Sequence, residues 1–556
     1  MKSTRVWIVI SFCVGVGLFC VNAGQEQGPS DDYCTDIVVG KGASVDGSVI
    51  TSHTGCGADC RIHVVPAQSY PGGAKAPVFY GIQEVKRPLK DYGEVIGFIP
   101  QVEKTFAYIH SAYPHINEHQ LAIGESTLSQ RDELKVDRAW GAKQIMTIEQ
   151  AQVFALQRCR TSRDAVKLIG SLMEKYGFLT SCGPESEALC IADPNEAWIF
   201  EVFSVGMDWE PGCGRPGAIW AAQRVPDDHI CVVPNWSIIK EIDLSRPDEF
   251  MASKNYKQFA VDKGWYDPEG GKPFVWQDIY SPIPREWATG RFWLFFRTFA
   301  PGFKDWPDRS LSTPFKGYDS YHQFVEPLSY YPFSVKPEKK LSVQDVIAFQ
   351  RSVFAGTIYD MTGDTDWFVP DGKGGIKKSP LATPFPTRDM RELLDITWRR
   401  MVSRGGYGMV AQLRGWLPDP IGGVYWVYQD NQHVSPYVPV YAGVTEISPL
   451  YKTYDPGKFS EDSARWAIDF VDNLLYLRWQ EAYKDLIKAR DPLEEGFFEG
   501  LAEMDRRAVE LFKKSPAEAK KLLTGFSRQC MEQAVDVYRK LRAMLITKYT
   551  NNKLGL

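Results

Sequence analysis

Cys34-Thr35-Asp36-Ile37-Val38-Val39-Gly40-Lys41, followed two residues later by Ser44-Val45-Asp46-Gly47-Ser48, decides how the rest of the chain is read. The β-branched run Ile37-Val38-Val39 predicts a strand beginning near Thr35 and ending at Gly40. Asp46-Gly47 predicts a tight turn into a second strand over residues 48–52, because both residues tolerate a positive φ. Cys34 therefore opens an inner strand and is not part of a flexible tail.

What precedes Cys34 reads as material to be removed. Lys2 and Arg5 form a positive start, Val6 to Val21 is almost wholly apolar, and Val21-Asn22-Ala23 supplies the small residue of a signal-peptidase site. Residues 1–23 are read as a signal peptide and 24–33 as a propeptide or spacer. An uncleaved anchor is disfavoured, since the apolar run falls short of the ~20 residues a spanning helix needs. Lipid attachment at Cys20 is disfavoured by the bulky Phe19 before it. A cut before Cys34 would give its thiol, near ~8.5, an adjacent α-amino group near ~7.7–8.0 that can take the thiol proton.

The 556 residues carry a net charge of -5, which gives no electrostatic reason to expect nucleic acid or an anionic membrane as partner. No later apolar run is long enough to span a bilayer, so an exported protein, periplasmic or extracellular, is expected. Beyond Cys34, eight cysteines follow the leader: Cys56, Cys60, Cys159, Cys182, Cys190, Cys213, Cys231 and Cys530. That number permits disulfides in an exported chain, with Cys56 and Cys60 the nearest pair. No second Cys or His pair follows at finger-like spacing, and His110, His115 and His119 lack a His-Glu-x-x-His helix, so neither metal nor cofactor is expected. The 17 Trp suit core and interface packing better than a ligand groove.

Further along, short runs at 106–109 and 120–124 have strand length. Thr147 and Thr161 cap two helices, the second ending at Gly177, and strands return at 188–192, 197–202, 219–225 and 230–233. Sheet, helices, then sheet indicates a layered α+β domain. Residues 240–460 are rich in Pro, Gly and aromatics. They predict helices over 342–353 and 388–402 and strands near 423–428 and 437–444. The end is helical: Trp466, Phe470, Leu474 and Leu477 share one face, Phe497, Leu501, Met504, Ala508 and Leu511 another, and Ser515-Pro516-Ala517-Glu518 opens a last helix. Residues 34–459 are read as the main domain and 460–556 as a helical region packed on it, whose surface leaves a homo-oligomer open.

Residue by residue, the Cys34 segment resembles the mature start of the PepD-type cysteine dipeptidases, which with the secernins are N-terminal nucleophile (Ntn) hydrolases. The resemblance recurs in order at Asn117-Glu118-His119-Gln120-Leu121-Ala122-Ile123-Gly124-Glu125-Ser126, Trp220-Ala221-Ala222-Gln223-Arg224-Val225-Pro226-Asp227-Asp228, Gly356-Thr357-Ile358-Tyr359-Asp360-Met361-Thr362 and Val438-Pro439-Val440-Tyr441-Ala442-Gly443-Val444. It implies an αββα four-layer sandwich, cleavage before the nucleophile and hydrolysis of dipeptides or small peptides. Cys34 would attack the carbonyl, its α-amino group would carry the proton, and water would release the acyl group. Asn235, at a strand end, takes the place of a catalytic asparagine in the related hydrolases and would hold the oxyanion.

In one respect the chain departs from the wider superfamily: where bile salt hydrolases carry Arg and then Asp, it has His53 and Cys56. His53 is the candidate helper, with Asp59 beside Arg61 nearby. Asn117 and Glu125 are candidates for the substrate's ammonium end, and Arg224 for its carboxylate. Two alternatives stand beside the dipeptidase reading: an amidase or acylase on N-acyl substrates, and an inactive exported binding protein with Cys34 in a disulfide.

Overall fold

The computed structural model describes residues 34–55, 59–86, 88–282, 286–302, 331–357, 359–394 and 405–551. The leader, the spacer, Cys56 and the second half of the helix expected over 388–402 lie outside these residues. Two antiparallel sheets dominate. The six-stranded sheet runs Ile230–Val233, Asp36–Val39, Val49–Gly55, Tyr407–Leu413, Gly423–Gln429 and Val438–Tyr441. The eight-stranded sheet runs Phe250–Ala252, Ile219–Val225, Ala197–Phe203, Ser186–Ala192, Ala122–Leu128, Ile116–Asn117, Tyr108–His110 and His63–Val65.

The strand after Cys34 is internal, as its apolar run requires. Asp36 pairs with Val233 on one side and Val38 with Thr51 on the other, and Ile37, Val38 and Val39 are fully buried. The turn into its partner follows the expected chemistry: Gly47 has φ 84°, and the Asp46 carboxylate accepts from the Ser48 amide at 3.0 Å.

Faces of the two sheets meet. The Thr51 hydroxyl of one donates to the Cys190 carbonyl of the other at 3.2 Å. At Gly124 the backbones come so close that a Cβ would collide with the Ser52 carbonyl and lie 2.8 Å from Asp36 Oδ2. On the outer face of the eight-stranded sheet, helices Ile148–Arg158 and Ser162–Tyr176 bury Ala151, Phe154, Ala155, Ala165, Ile169 and Met173 against Ile123, Leu189, Ile191 and Phe200. Their caps are those expected: Thr147 accepts from Gln150 and Thr161 from Asp164. Helix Val343–Gln350 and the C-terminal helices cover the six-stranded sheet, so the layers run helix, sheet, sheet, helix.

Three C-terminal helices, Ala464–Leu475, Trp479–Phe512 and Pro516–Tyr549, form the helical end. The first turns a different face inward from the one expected. Ala464, Ala467, Ile468, Val471 and Leu475 are buried, whereas Phe470 is 37% and Leu477 36% exposed. Two interleaved apolar stripes run along this helix, and the aromatic one is partly covered, Trp466 by Tyr454 and Phe459, and Phe470 by Phe459 and the Arg542 guanidinium. The runs expected at 106–109 and 120–124 form strands displaced toward the C-terminus, because Asn117 and Gln120 make the turn between Ile116–Asn117 and Ala122–Leu128.

Gly124→Ala is expected to destabilise the protein by about 1–3 kcal/mol through forced separation of the sheets. Thermal unfolding followed by circular dichroism checks this, and an unchanged midpoint would contradict the close approach.

Candidate active site

Antiparallel pairing brings several strand ends to one end of the sandwich. The Asp36–Val39 and Tyr407–Leu413 strands start there, and Val49–Gly55, Gly423–Gln429 and Ile230–Val233 finish there. Cys34, 3% exposed, sits at this end. Its neighbour Thr35 donates from its amide to the Thr54 hydroxyl at 2.7 Å.

The residue that organises this end is Arg291, fully buried in helix Glu286–Phe299. Its Nη1 donates to the Cys34 carbonyl and to Thr35 Oγ1, the latter at 2.7 Å. Its Nη2 donates to the Pro234 carbonyl at 2.9 Å and to Asn235 Oδ1 at 2.8 Å. One guanidinium thus fixes Cys34 relative to Asn235. Asn235 has φ 61°, a left-handed geometry that asparagine tolerates, and its Nδ2 donates to the Thr127 carbonyl at 2.9 Å. Its amide donates to Ser126 Oγ at 3.1 Å, so both sheets hold it.

Behind Cys34 lies a buried titratable cluster. His53 Nδ1 is 2.8 Å from the Glu125 carbonyl and 3.4 Å from Asp36 Oδ1. Its ring packs on His115 at 4.8 Å and on Tyr407 at 5.7 Å. Burial lowers the His53 pKa against the opposing field of Glu125. Burial, then the field of Glu125, holds Asp36 well above the ordinary carboxylate range, with Arg291 partly opposing. Glu125 and Glu187 are raised too, both chiefly by burial, and the Glu125 charge adds to the rise at Glu187. Tyr407 and Tyr428 are also fully buried, and both feel the charge of Cys34.

Of the residues singled out from sequence, Cys34, Asn235, His53 and Glu125 come together at this end. Asn117 does not: its Nδ2 donates to the Leu156 and Cys159 carbonyls, each at 2.9 Å, and its Oδ1 accepts from His119 and Leu121, so it ties a turn to the helix layer. Arg224 pairs with Glu196 at 2.8 Å and with Asp227. Asp227 also accepts from Gly42 beyond the far end of the Asp36–Val39 strand, which places Arg224 at the opposite end of the sheets from Cys34. Asp59 forms a local pair with Arg61, 2.6 Å apart, in the loop after the Val49–Gly55 strand. Cys60 is a buried thiol outside any disulfide, and burial pushes it up to about 12.

Sequence reasoning passed over Arg291, Asp36, Glu187, Tyr407 and Tyr428. A signal for Arg291 exists: a lone cation in Arg291-Phe292-Trp293-Leu294-Phe295-Phe296 has to be buried with partners. Asp36 likewise stands out as a carboxylate opening an apolar strand. Nothing in the sequence marks Glu187, Tyr407 or Tyr428.

Arg291→Met leaves several buried acceptors without a donor and is expected to cost about 2–4 kcal/mol in urea unfolding. A stability equal to wild type would contradict the clamp. A second expectation concerns pH. An imidazole held below its ordinary value binds fewer protons folded than unfolded, so its contribution is complete above about 6.5 and is lost as pH falls. Carboxyls held protonated run in the opposite sense: they favour the folded chain below about 4 and withdraw that contribution as pH rises toward their folded values. His53→Gln should therefore flatten the fall in urea stability as pH drops below about 6.5. An unaltered slope would contradict a buried neutral His53.

Comparison with known proteins adds an independent line. The model of Peptidase family C69 matches residues 33–491. A probable dipeptidase of Latilactobacillus sakei is 24% identical over 538 residues, covering 93% of this chain and 95% of the relative. A dipeptidase of Bifidobacterium longum is 24% identical over 461 residues, covering 78% of this chain and 75% of its own. A probable dipeptidase of Salmonella dublin is 23% identical over 431 residues, covering 75% and 82%.

Proposed function

The chain belongs to peptidase family C69 and is a hydrolase acting on dipeptides, and from that premise we propose that it is an exported cysteine dipeptidase whose nucleophile is Cys34. The single observation that carries the assignment is the Arg291 clamp, which bonds the Cys34 carbonyl and the Asn235 side chain at once. A reactive thiol and an amide donor held by one rigid group suit acyl transfer, in which the donor has to be in place before charge develops.

The chemistry follows from the position of Cys34. Removal of residues 1–33 frees its α-amino group, which accepts the thiol proton. The thiolate attacks the peptide carbonyl, and the C–N bond breaks as the amine leaves with a proton returned from the same α-amino group. Water then hydrolyses the thioester. Asn235 Nδ2 stabilises the oxyanion. His53, lowered by burial, is neutral near pH 7 and keeps the Glu125 strand against the Val49–Gly55 strand, the neighbour of the strand that follows Cys34. Glu125 receives the substrate's ammonium group, whereas Asn117, Asp59 and Arg224 act as structural ties. The helix, sheet, sheet, helix order supports the Ntn-hydrolase class, with residues 34–459 as its body and 460–556 as an added helical region.

The mature protein is expected to begin at Cys34 by intact mass, and Cys34→Ala to abolish dipeptide turnover with the fold intact. Full activity in a chain beginning at Gly24 would contradict the self-base mechanism. Failure of the native, non-reduced protein to react with an alkylating reagent at Cys34 would favour a binding protein.

A further inference from the structure

Glu125 and Glu187 stand on neighbouring strands of the eight-stranded sheet. The register sets Glu125 opposite Leu189 and Thr127 opposite Glu187, so the two acids are diagonal neighbours on one face. Both are fully buried. Each acid acts on the other, and among the described residues the one hydrogen bond to either carboxyl comes from the Thr127 hydroxyl, 3.5 Å from Glu125 Oε1. Glu125 Oε2 and both oxygens of Glu187 receive no donor from any other described residue.

Among the described residues neither acid makes a hydrogen bond to a lysine or arginine. The groups that face the pair are His53 from the Val49–Gly55 strand, Asp36 and Cys34 from the start of the inner strand, and Tyr113 from the loop after Tyr108–His110. Glu149 from the first turn of its helix, Cys182 from the loop before Ser186–Ala192 and Tyr407 also act on one acid or the other. His53, the one group here able to become a cation, is kept neutral by burial. Two ionised carboxylates in such a place would repel strongly, so the pair either keeps a proton or receives a cation from outside.

The substrate brings that cation. In a dipeptide the ammonium nitrogen is two bonds from the scissile carbonyl carbon, so its receptor has to adjoin the nucleophile. Glu187 is placed for this: it pairs across the strands with Thr127, whose carbonyl accepts from Asn235 Nδ2, and Asn235 shares the Arg291 guanidinium with Cys34.

We propose that Glu125 and Glu187 together form the receptor for the α-ammonium group of the substrate, and that in the empty protein they hold one shared proton which the ammonium displaces. This rests on the reading of Cys34 as the nucleophile. It makes the pair a gauge of substrate length: only a peptide whose free amino group lies beside the scissile bond satisfies it. It also sets a sign for pH, because binding expels a proton and affinity therefore rises with pH until the empty pair loses that proton by itself.

The test is calorimetric titration of the mature Cys34→Ala protein with a free dipeptide and with its N-acetyl form, in two buffers of different ionisation enthalpy near neutral pH. The free dipeptide is expected to release about one proton on binding, and the acetylated form none. The acetylated form should bind about 10-fold to 100-fold more weakly. Glu187→Gln in the same background should weaken the free dipeptide over that range, abolish proton release and leave the acetylated peptide unchanged. Glu125→Gln repeats the test from the other side of the pair, and circular dichroism confirms that each variant is folded. Equal affinity for the two peptides, no measurable binding of the free one, or proton release that persists in a folded Glu187→Gln protein would overturn the proposal. Hydrolysis of the dipeptide by the Cys34→Ala protein would instead overturn the nucleophile assignment. The ratio of KM values for free and acetylated peptide in the Glu187→Gln protein then decides the question of the carboxyl pair.

Discussion

The buried guanidinium of Arg291 is the interaction on which the arrangement around Cys34 depends. It reaches the start of one strand and the end of its neighbour, bonding the Cys34 carbonyl, Thr35 Oγ1, the Pro234 carbonyl and Asn235 Oδ1. An arginine is suited to this because its planar, permanently charged fork presents donors in fixed directions, whereas a lysine offers a single flexible point charge. Carrying that charge into the core is costly, and it is tolerated here because carbonyl and amide oxygens surround it. Helix Glu286–Phe299 delivers it, and Phe292, Trp293, Phe295 and Phe296, which follow Arg291 in that helix, are buried with it.

Close contact between the sheets is the second constraint. Gly124 lets the Ser52 carbonyl and the Asp36 carboxyl approach the opposite sheet, and this draws Asp36, His53 and Glu125 into one dry cluster. In that environment the charged form of each group is disfavoured, so burial lowers His53 and raises Asp36, Glu125 and Glu187. Apart from the Arg291 guanidinium, burial here works against ions, and under the proposal the ammonium group is brought by the dipeptide. A mechanism that takes its base from the α-amino group of the nucleophile suits such a site, because the buried histidine is poorly placed to become charged.

Much of the framework could be read from residue patterns. Ile37-Val38-Val39 and Asp46-Gly47 located an inner strand and its turn, and Thr147 and Thr161 marked two helix starts, because these signals act over a few residues. Ala464–Leu475 shows the limit of such reading. Two apolar stripes compete along that helix, and only the packing of the other helical layers selects Ile468 and Val471 over Phe470. At the site, Cys34 was singled out by its place after the leader and Asn235 by the family resemblance, but the link between them could not be read, since Arg291 lies more than fifty residues from Asn235 and faces it only once the sheet has formed. Glu187 was hidden for a similar reason: its meaning comes from the acid across the strand pairing. Arg224 and Asn117 had the right chemistry for a substrate, yet the fold commits them to Glu196 and to the helix layer.

The claim that joins these observations is that the Cys34 thiol carries the acyl group of the substrate. Rapid acid quench of the mature protein during dipeptide turnover, followed by peptide mapping by mass spectrometry, tests it directly. The account expects the acyl group of the substrate's N-terminal residue on the peptide that begins with Cys34. Turnover that proceeds with the adduct on another residue would contradict it.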